Sequence, residues 1–194
     1  MTKPILKSLA TLSIILLLFT SCAKTEDDNA SQNGISDLLH LSFTTPDWNR
    51  FIDCSKLNLD PGYMNDSTFY VSATSASTQE TFYFSFPSDS SHMVRATNPG
   101  KYPIQIFGSH EGYFEFSQKL PITDGSTTKL VSEKGFSETV YNEVSEIKYA
   151  GMEGDYALFH IKCRYSMVAS VLPDATTKRN INGTFHFVVR TYRK

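Results

Sequence analysis

The chain has 194 residues, with 18 Lys and Arg against 20 Asp and Glu and a formal net charge of −2. Neutralising phosphates takes clustered basic residues, and the sequence has no basic run beyond Lys178-Arg179 and the terminal Arg190 to Lys194, so nucleic acid is excluded as a partner. The length fits one domain with a real core, and 14 Phe with 10 Tyr favour strands over helices.

In chain order, the first element is a leader. Lys3 and Lys7 precede an apolar run from Leu12 to Phe19, and Thr20-Ser21 lead into Cys22. A basic start, a short apolar core and small residues before a cysteine predict a lipoprotein signal peptide over residues 1–21, with Cys22 as the lipidated first residue of the mature chain. The run is too short to span a bilayer, which takes about 20 predominantly apolar residues. Phe19 stands third before the cysteine, which resembles the loose cleavage motif of Bacteroidota, and Ala23 replaces the Asp of inner-membrane retention. Lys24, Glu26, Asp27 and Asp28 resemble the surface-export signal of Bacteroidota lipoproteins; the alternative is a solvated acidic linker. The expected address is the outer membrane, lipid-anchored and facing the cell surface, with the membrane as a partner through the anchor. Because Lys3 and Lys7 leave with residues 1–21, the mature charge becomes about −4. Residues 22–36 are polar and without periodicity and read as a tether; residues 37–194 read as a single β domain.

From Asp37 onward the dominant period is two. Ile35 to His40 has the length of one helical turn, and Pro61-Gly62 ends any helix after Lys56. Thr68–Thr74 and Glu80–Phe86 alternate as two strands joined by a hairpin-length connection, with Phe82, Phe84 and Phe86 on one face. Lys101–Phe107 follows the Pro99-Gly100 turn, and Tyr113–Gln118 follows a loop around His110. Thr127–Ser132, Ser137–Tyr141 and Glu143–Tyr149 are weaker strands. Asp155–Ser170 and Asn180–Arg193 form a long antiparallel pair about a Pro173-Asp174 loop. The expected architecture is all-β, an antiparallel β-sandwich of roughly 8–10 strands, with a closed lipocalin-like barrel as the alternative. With Cys22 lipidated, Cys54 and Cys163 remain, either as a disulfide in an oxidising compartment or as two buried thiols.

Phe43 with Trp48, the segment Asn98-Pro99-Gly100-Lys101-Tyr102-Pro103-Ile104, the strand Gly112-Tyr113-Phe114-Glu115-Phe116 and the closing Ile181-Asn182-Gly183-Thr184-Phe185-His186-Phe187 resemble small lipoproteins of Bacteroidota that end in a Gly-Thr-Phe-aromatic strand. The resemblance spans Leu41 to Val189 and implies the address and an all-β domain, with no activity to carry over. One departure is that no Gly stands just before Trp48, where related chains place a Gly-x-x-Trp turn.

No nucleophile-elbow, zincin, phosphate-loop or dinucleotide motif occurs, and no cofactor or metal set is legible. His160 and His186 alternate away from the apolar faces of their strands, so pairing of those strands would put both on one outer surface, as a two-His site or as ordinary strand residues. His110-Glu111 has the residue types of an acid/base pair, but Gly108 and Gly112 around it read as an exposed hairpin. Tyr70 and Tyr83 point away from the apolar faces, and Tyr63, Tyr102 and Tyr113 lie at strand ends or loops, where an exposed tyrosine platform stacks on sugar rings. Asp66-Ser67-Thr68 matches the O-glycosylation sequon of Bacteroidota, with Ser67 as acceptor. Two functions stay open: a noncatalytic domain binding an extracellular or periplasmic glycan, protein or small ligand, and a small hydrolase whose site is assembled from separate strands.

Overall fold

The computed structural model describes residues 34–77 and 79–194. Cys22, Lys24, Glu26, Asp27 and Asp28 lie outside the described residues. Among the described residues eleven strands follow in order: β1 (His40–Thr44), β2 (Asn49–Asp53), β3 (Gly62–Asn65), β4 (Thr68–Thr74), β5 (Thr81–Pro87), β6 (Gly100–Tyr102), β7 (Phe116–Pro121), β8 (Lys129–Ser132), β9 (Tyr141–Glu153), β10 (Tyr156–Leu172) and β11 (Lys178–Tyr192). A four-residue helix, α1 (Ser90–Met93), follows β5 and is capped by the Asp89 carboxylate, which accepts from the His92 N–H.

All ladders between these strands are antiparallel, and they run in the order β2-β1-β11-β10-β8-β7-β5-β4-β3. β10 is long enough to pair with β9 along its first part and with β8 at its last residues, so the sheet forks there and β9 carries β6 on its far side. Beyond the fork the sheet folds back on itself. Phe82 of β5 stacks on Phe187 of β11 at 4.7 Å, and Phe84 meets Phe185 at 5.0 Å. The result is an all-β, sandwich-like fold on one open sheet, whose ends β2 and β3 do not pair. The barrel alternative is therefore corrected: the strand path stops at two edges instead of closing.

Alternation explains the core. Phe159, Ile161, Cys163, Tyr165 and Met167 of β10 and Ile181, Phe185, Phe187 and Val189 of β11 are all essentially inaccessible. Each fully buried aromatic or aliphatic side chain of this kind contributes about 1.5 to 3 kcal/mol. Elsewhere the pattern misleads. Residues 35–40 form no helical turn. The expected strand from Tyr113 begins only at Phe116, because Phe114 sits at φ 59°, outside the extended region. Of the two weak strands between Ser137 and Tyr149, the first does not form, residues 137–140 being a bend, and the second is part of β9, which runs from Tyr141 to Glu153 and bulges twice against β10.

Of the two alternatives for the remaining cysteines, the structure has the thiols and not the disulfide. Cys54 and Cys163 are both buried free thiols. Cys163 pairs with Phe185, Phe185 with Leu41, and Leu41 with Ile52, two residues before Cys54. Three strand spacings separate them by roughly 14 Å, whereas a bridge needs Cα atoms about 4.4 to 6.8 Å apart. Cys163 accepts a long contact from Asn142 Nδ2 inside the core, and Cys54 lines a small apolar cavity between β2 and the β4–β5 turn.

Candidate functional site: a tyrosine groove on the β3–β5 layer

β4 and β5 pair so that Tyr70 stands opposite Ser85 and Tyr83 opposite Ser72. With the phenylalanines of both strands turned inward, the two tyrosines are diagonal neighbours on the outer face, their ring centroids 5.8 Å apart. β3 brings Gly62 opposite Tyr70. A Cβ on Gly62 would stand 2.5 Å from the Tyr70 ring, so the absence of a side chain there lets the ring lie across the β3 backbone. Tyr63, the next residue, is 65% exposed at the edge.

The loop between β6 and β7 forms the other wall. Phe107 meets the Tyr83 ring edge-on at 5.3 Å, and the His110 ring lies 6.1 Å from it. Together Tyr63, Met64, Tyr70, Tyr83, Gly108, Ser109 and His110 enclose a groove of about 420 Å³ with no ionisable side chain among them other than tyrosine and His110. His110 Nε2 lies 3.3 Å from the Ser117 hydroxyl, while its Nδ1 is buried without a hydrogen-bond partner. Burial pushes the imidazole down to about 4, against an opposing pull from Glu115, so the ring is neutral at pH 7. The neighbouring Glu111 does not form an acid/base pair with it: Glu111 is exposed and bound to Lys134 at 2.8 Å.

Of the five tyrosines expected at a ligand surface, the structure brings Tyr63, Tyr70 and Tyr83 to one groove. Tyr102 and Tyr113 lie elsewhere. Both pack partly buried against Phe114, and the Tyr102 hydroxyl donates to the Asn98 carbonyl at 2.7 Å. Ser67 is exposed in the two-residue connection from β3 to β4, its hydroxyl donating to Asn65 Oδ1. Met64, Gly108, Ser109 and His110 were not expected in the groove; the one available signal was the glycine-flanked loop around His110.

A second polar cluster lies on the outer face of β9–β10–β11. His160 Nδ1 and His186 Nε2 share a hydrogen bond of 2.8 Å, and the Lys162 ammonium bridges Asp37 and Glu146 beside them. Burial, then the charges of His160 and Lys162, hold the His186 imidazole down at about 4. The charged members pair with one another, Lys162 with Asp37 and Glu146, while His186 Nδ1 is buried without a hydrogen-bond partner. Among the described residues no group of three or more His, Cys, Asp or Glu is placed to hold a metal ion, and no helix is long and apolar enough to cross a membrane.

Comparison of the chain with protein-family models, with curated proteins and with solved structures finds no match.

Proposed function

We propose that this chain is a lipid-anchored glycan-binding protein, held in the outer membrane through Cys22 and presenting the tyrosine groove at the cell surface. The observation that carries the reading is the pairing of the Tyr70 and Tyr83 rings on the floor of one open groove, with Tyr63 at its β3 edge. The apolar face of a sugar ring presents C–H groups, which the electron-rich face of a tyrosine attracts, while the phenol hydroxyl supplies a hydrogen bond at the rim. A cavity walled by aromatics with a few fixed polar groups is the usual form of a small-ligand site. The leader ending at Ser21-Cys22 and the acidic Glu26-Asp27-Asp28 support the address.

Two experiments test it. A screen of neutral and acidic glycans against the full chain should find a binder whose affinity falls about tenfold, near 1.4 kcal/mol, in Tyr83→Ala. A binder unaffected by Tyr83→Ala and Tyr70→Ala would remove the groove from the reading. Metabolic labelling with a clickable fatty acid should mark wild type and not Cys22→Ala, and equal labelling of both would remove the anchor.

A further inference from the structure

The segment 58–64 borders two cavities. Tyr63 and Met64 line the tyrosine groove, and Asn58, Asp60 and Pro61 line a second cavity of about 530 Å³. The far walls of the second are the β9–β10 turn, with Glu153, Asp155 and Tyr156, and Arg190 of β11.

Aromatic rings connect the two. The Tyr63 and Tyr192 hydroxyls are hydrogen-bonded and their ring centroids are 6.3 Å apart. Tyr192 in turn stacks on Tyr156 at 5.4 Å and 18°. Tyr63 stands opposite Phe69 and meets its ring edge-on at 5.0 Å, so the ring series to Tyr156 starts on the inner side of β3; among the described strands β3 pairs only with β4, and its open edge is all that lies between Tyr63 and the Tyr70–Tyr83 face.

The polar end is already ordered. Arg190 Nε donates to Glu153 at 2.6 Å and its Nη1 donates to Asn58 Oδ1 at 2.8 Å, with Asp60 3.6 Å away. One guanidinium thus holds three acceptor-bearing side chains in place beside an aromatic ring, so a ligand meets acceptors that need no ordering on binding. Acceptors of this kind match sugar hydroxyls, which donate. An acidic sugar would instead face Asp60, Glu153 and Asp155 with Arg190 as the single offsetting charge in that wall.

We infer that this cavity is a second subsite of the tyrosine groove and that the ligand is a linear, neutral oligosaccharide running from Tyr83 across the β3 edge to Tyr156. The inference rests on the glycan-binding reading and adds length and charge class to it. It is tested by calorimetric titration of the full chain in detergent with β-glucan, mannan and xylan ladders from disaccharide to hexasaccharide, and with oligogalacturonate as the acidic probe. Wild type should bind longer neutral oligomers more tightly, by about tenfold from the shortest to the longest. Tyr156→Ala should lose that gain while keeping disaccharide affinity, and Asn58→Ala, an exposed position that leaves the core untouched, should do the same. Tyr83→Ala should weaken every length. Affinity independent of length, hexasaccharide binding unchanged in both Tyr156→Ala and Asn58→Ala, or tighter binding of oligogalacturonate overturns the second subsite and leaves the groove standing. Absence of binding to every ladder overturns both.

Discussion

Two glycines in this molecule each face a tyrosine across an antiparallel ladder, one in the core and one on the surface. Gly183 of β11 pairs with Tyr165 of β10, and Gly62 of β3 pairs with Tyr70 of β4. In both an aromatic ring covers a residue without a side chain, a recurring way of filling the gap that glycine leaves in a sheet. What surrounds the ring differs. Tyr165 is inaccessible, with its hydroxyl within hydrogen-bond distance of the Ser42 carbonyl and Gln118 Oε1, so β1, β7, β10 and β11 meet at that ring. Tyr70 is half-buried on an edge hairpin with solvent on its outer side. The same local device therefore fixes the core in one place and shapes the wall of the proposed binding groove in the other.

The sharpest test of that contrast is alanine at each glycine. A Cβ on Gly183 would stand 2.1 Å from the Ser42 carbonyl oxygen, a backbone atom of β1, as well as 2.5 Å from Tyr165. Neither can give way without moving a strand. Gly183→Ala should lose about 3 kcal/mol or more of stability in urea unfolding, at the upper end of overpacking effects. A loss under about 1 kcal/mol would mean that β1 yields, and the core role assigned to this pair would fail.

Acid should give the next largest effect, through two desolvated imidazoles beside the surface clusters. His110 and His186 both have imidazoles held near 4, below the unfolded value of about 6.5. The unfolded chain takes up their protons first as pH falls, so their contribution to stability is full above about pH 6.5 and is lost as pH drops toward 4. Thermal unfolding between pH 7 and 4 should show a falling Tm, and His186→Gln should flatten that slope more than His160→Gln. An unchanged slope in His186→Gln and His110→Gln would place the acid response on the carboxylates instead.

Gly62→Ala should cost little stability, under about 1 kcal/mol, because the added Cβ meets the far end of a side chain that can swing into solvent. Affinity for the proposed glycan ligand should nonetheless fall as Tyr70 leaves the groove, while Gly183→Ala, at temperatures where it remains folded, keeps its affinity. Equal binding by Gly62→Ala and wild type would show that Tyr70 does not need to lie across β3.

How far these features were legible follows from their range in the chain. β4, β5, β10 and β11 were readable because strict alternation runs between clear turns, and one hairpin step then places Tyr70 beside Tyr83. His160 and His186 were legible for the same reason. Phe114 defeated the reading of the next strand: a buried phenylalanine at positive φ, held by Asn142 and Ser85, has no signature in a pattern of alternating side chains. Tyr102 and Tyr113 looked like loop tyrosines and turned inward onto that residue. The order of distant strands was also out of reach, and it alone decides that β1 and β11 separate the two cysteines and that residues 58–64 reach Arg190.

The smallest expected effect concerns those cysteines, and it asks whether the contrast between interior and rim extends beyond the glycines. Cys163 is fully buried beside β11, and burial pushes its thiol well above the ordinary range; Cys54, at the edge of a small apolar cavity, is pushed up to about 11 by burial. Thiolate is the reactive form, so neither should react with a disulfide reagent at pH 8 in the folded protein, and both should react in denaturant. Reducing agent should leave the Tm of the folded domain unchanged, because no bond exists for it to break. Under partial destabilisation Cys54 should become reactive before Cys163, since the short strands at the sheet edge open at lower free energy than the long β10–β11 ladder. Simultaneous exposure of both thiols would mean that rim and interior unfold as one unit. A Tm lowered by reductant would restore the bridge and require β1 and β11 to be displaced from between the two strands.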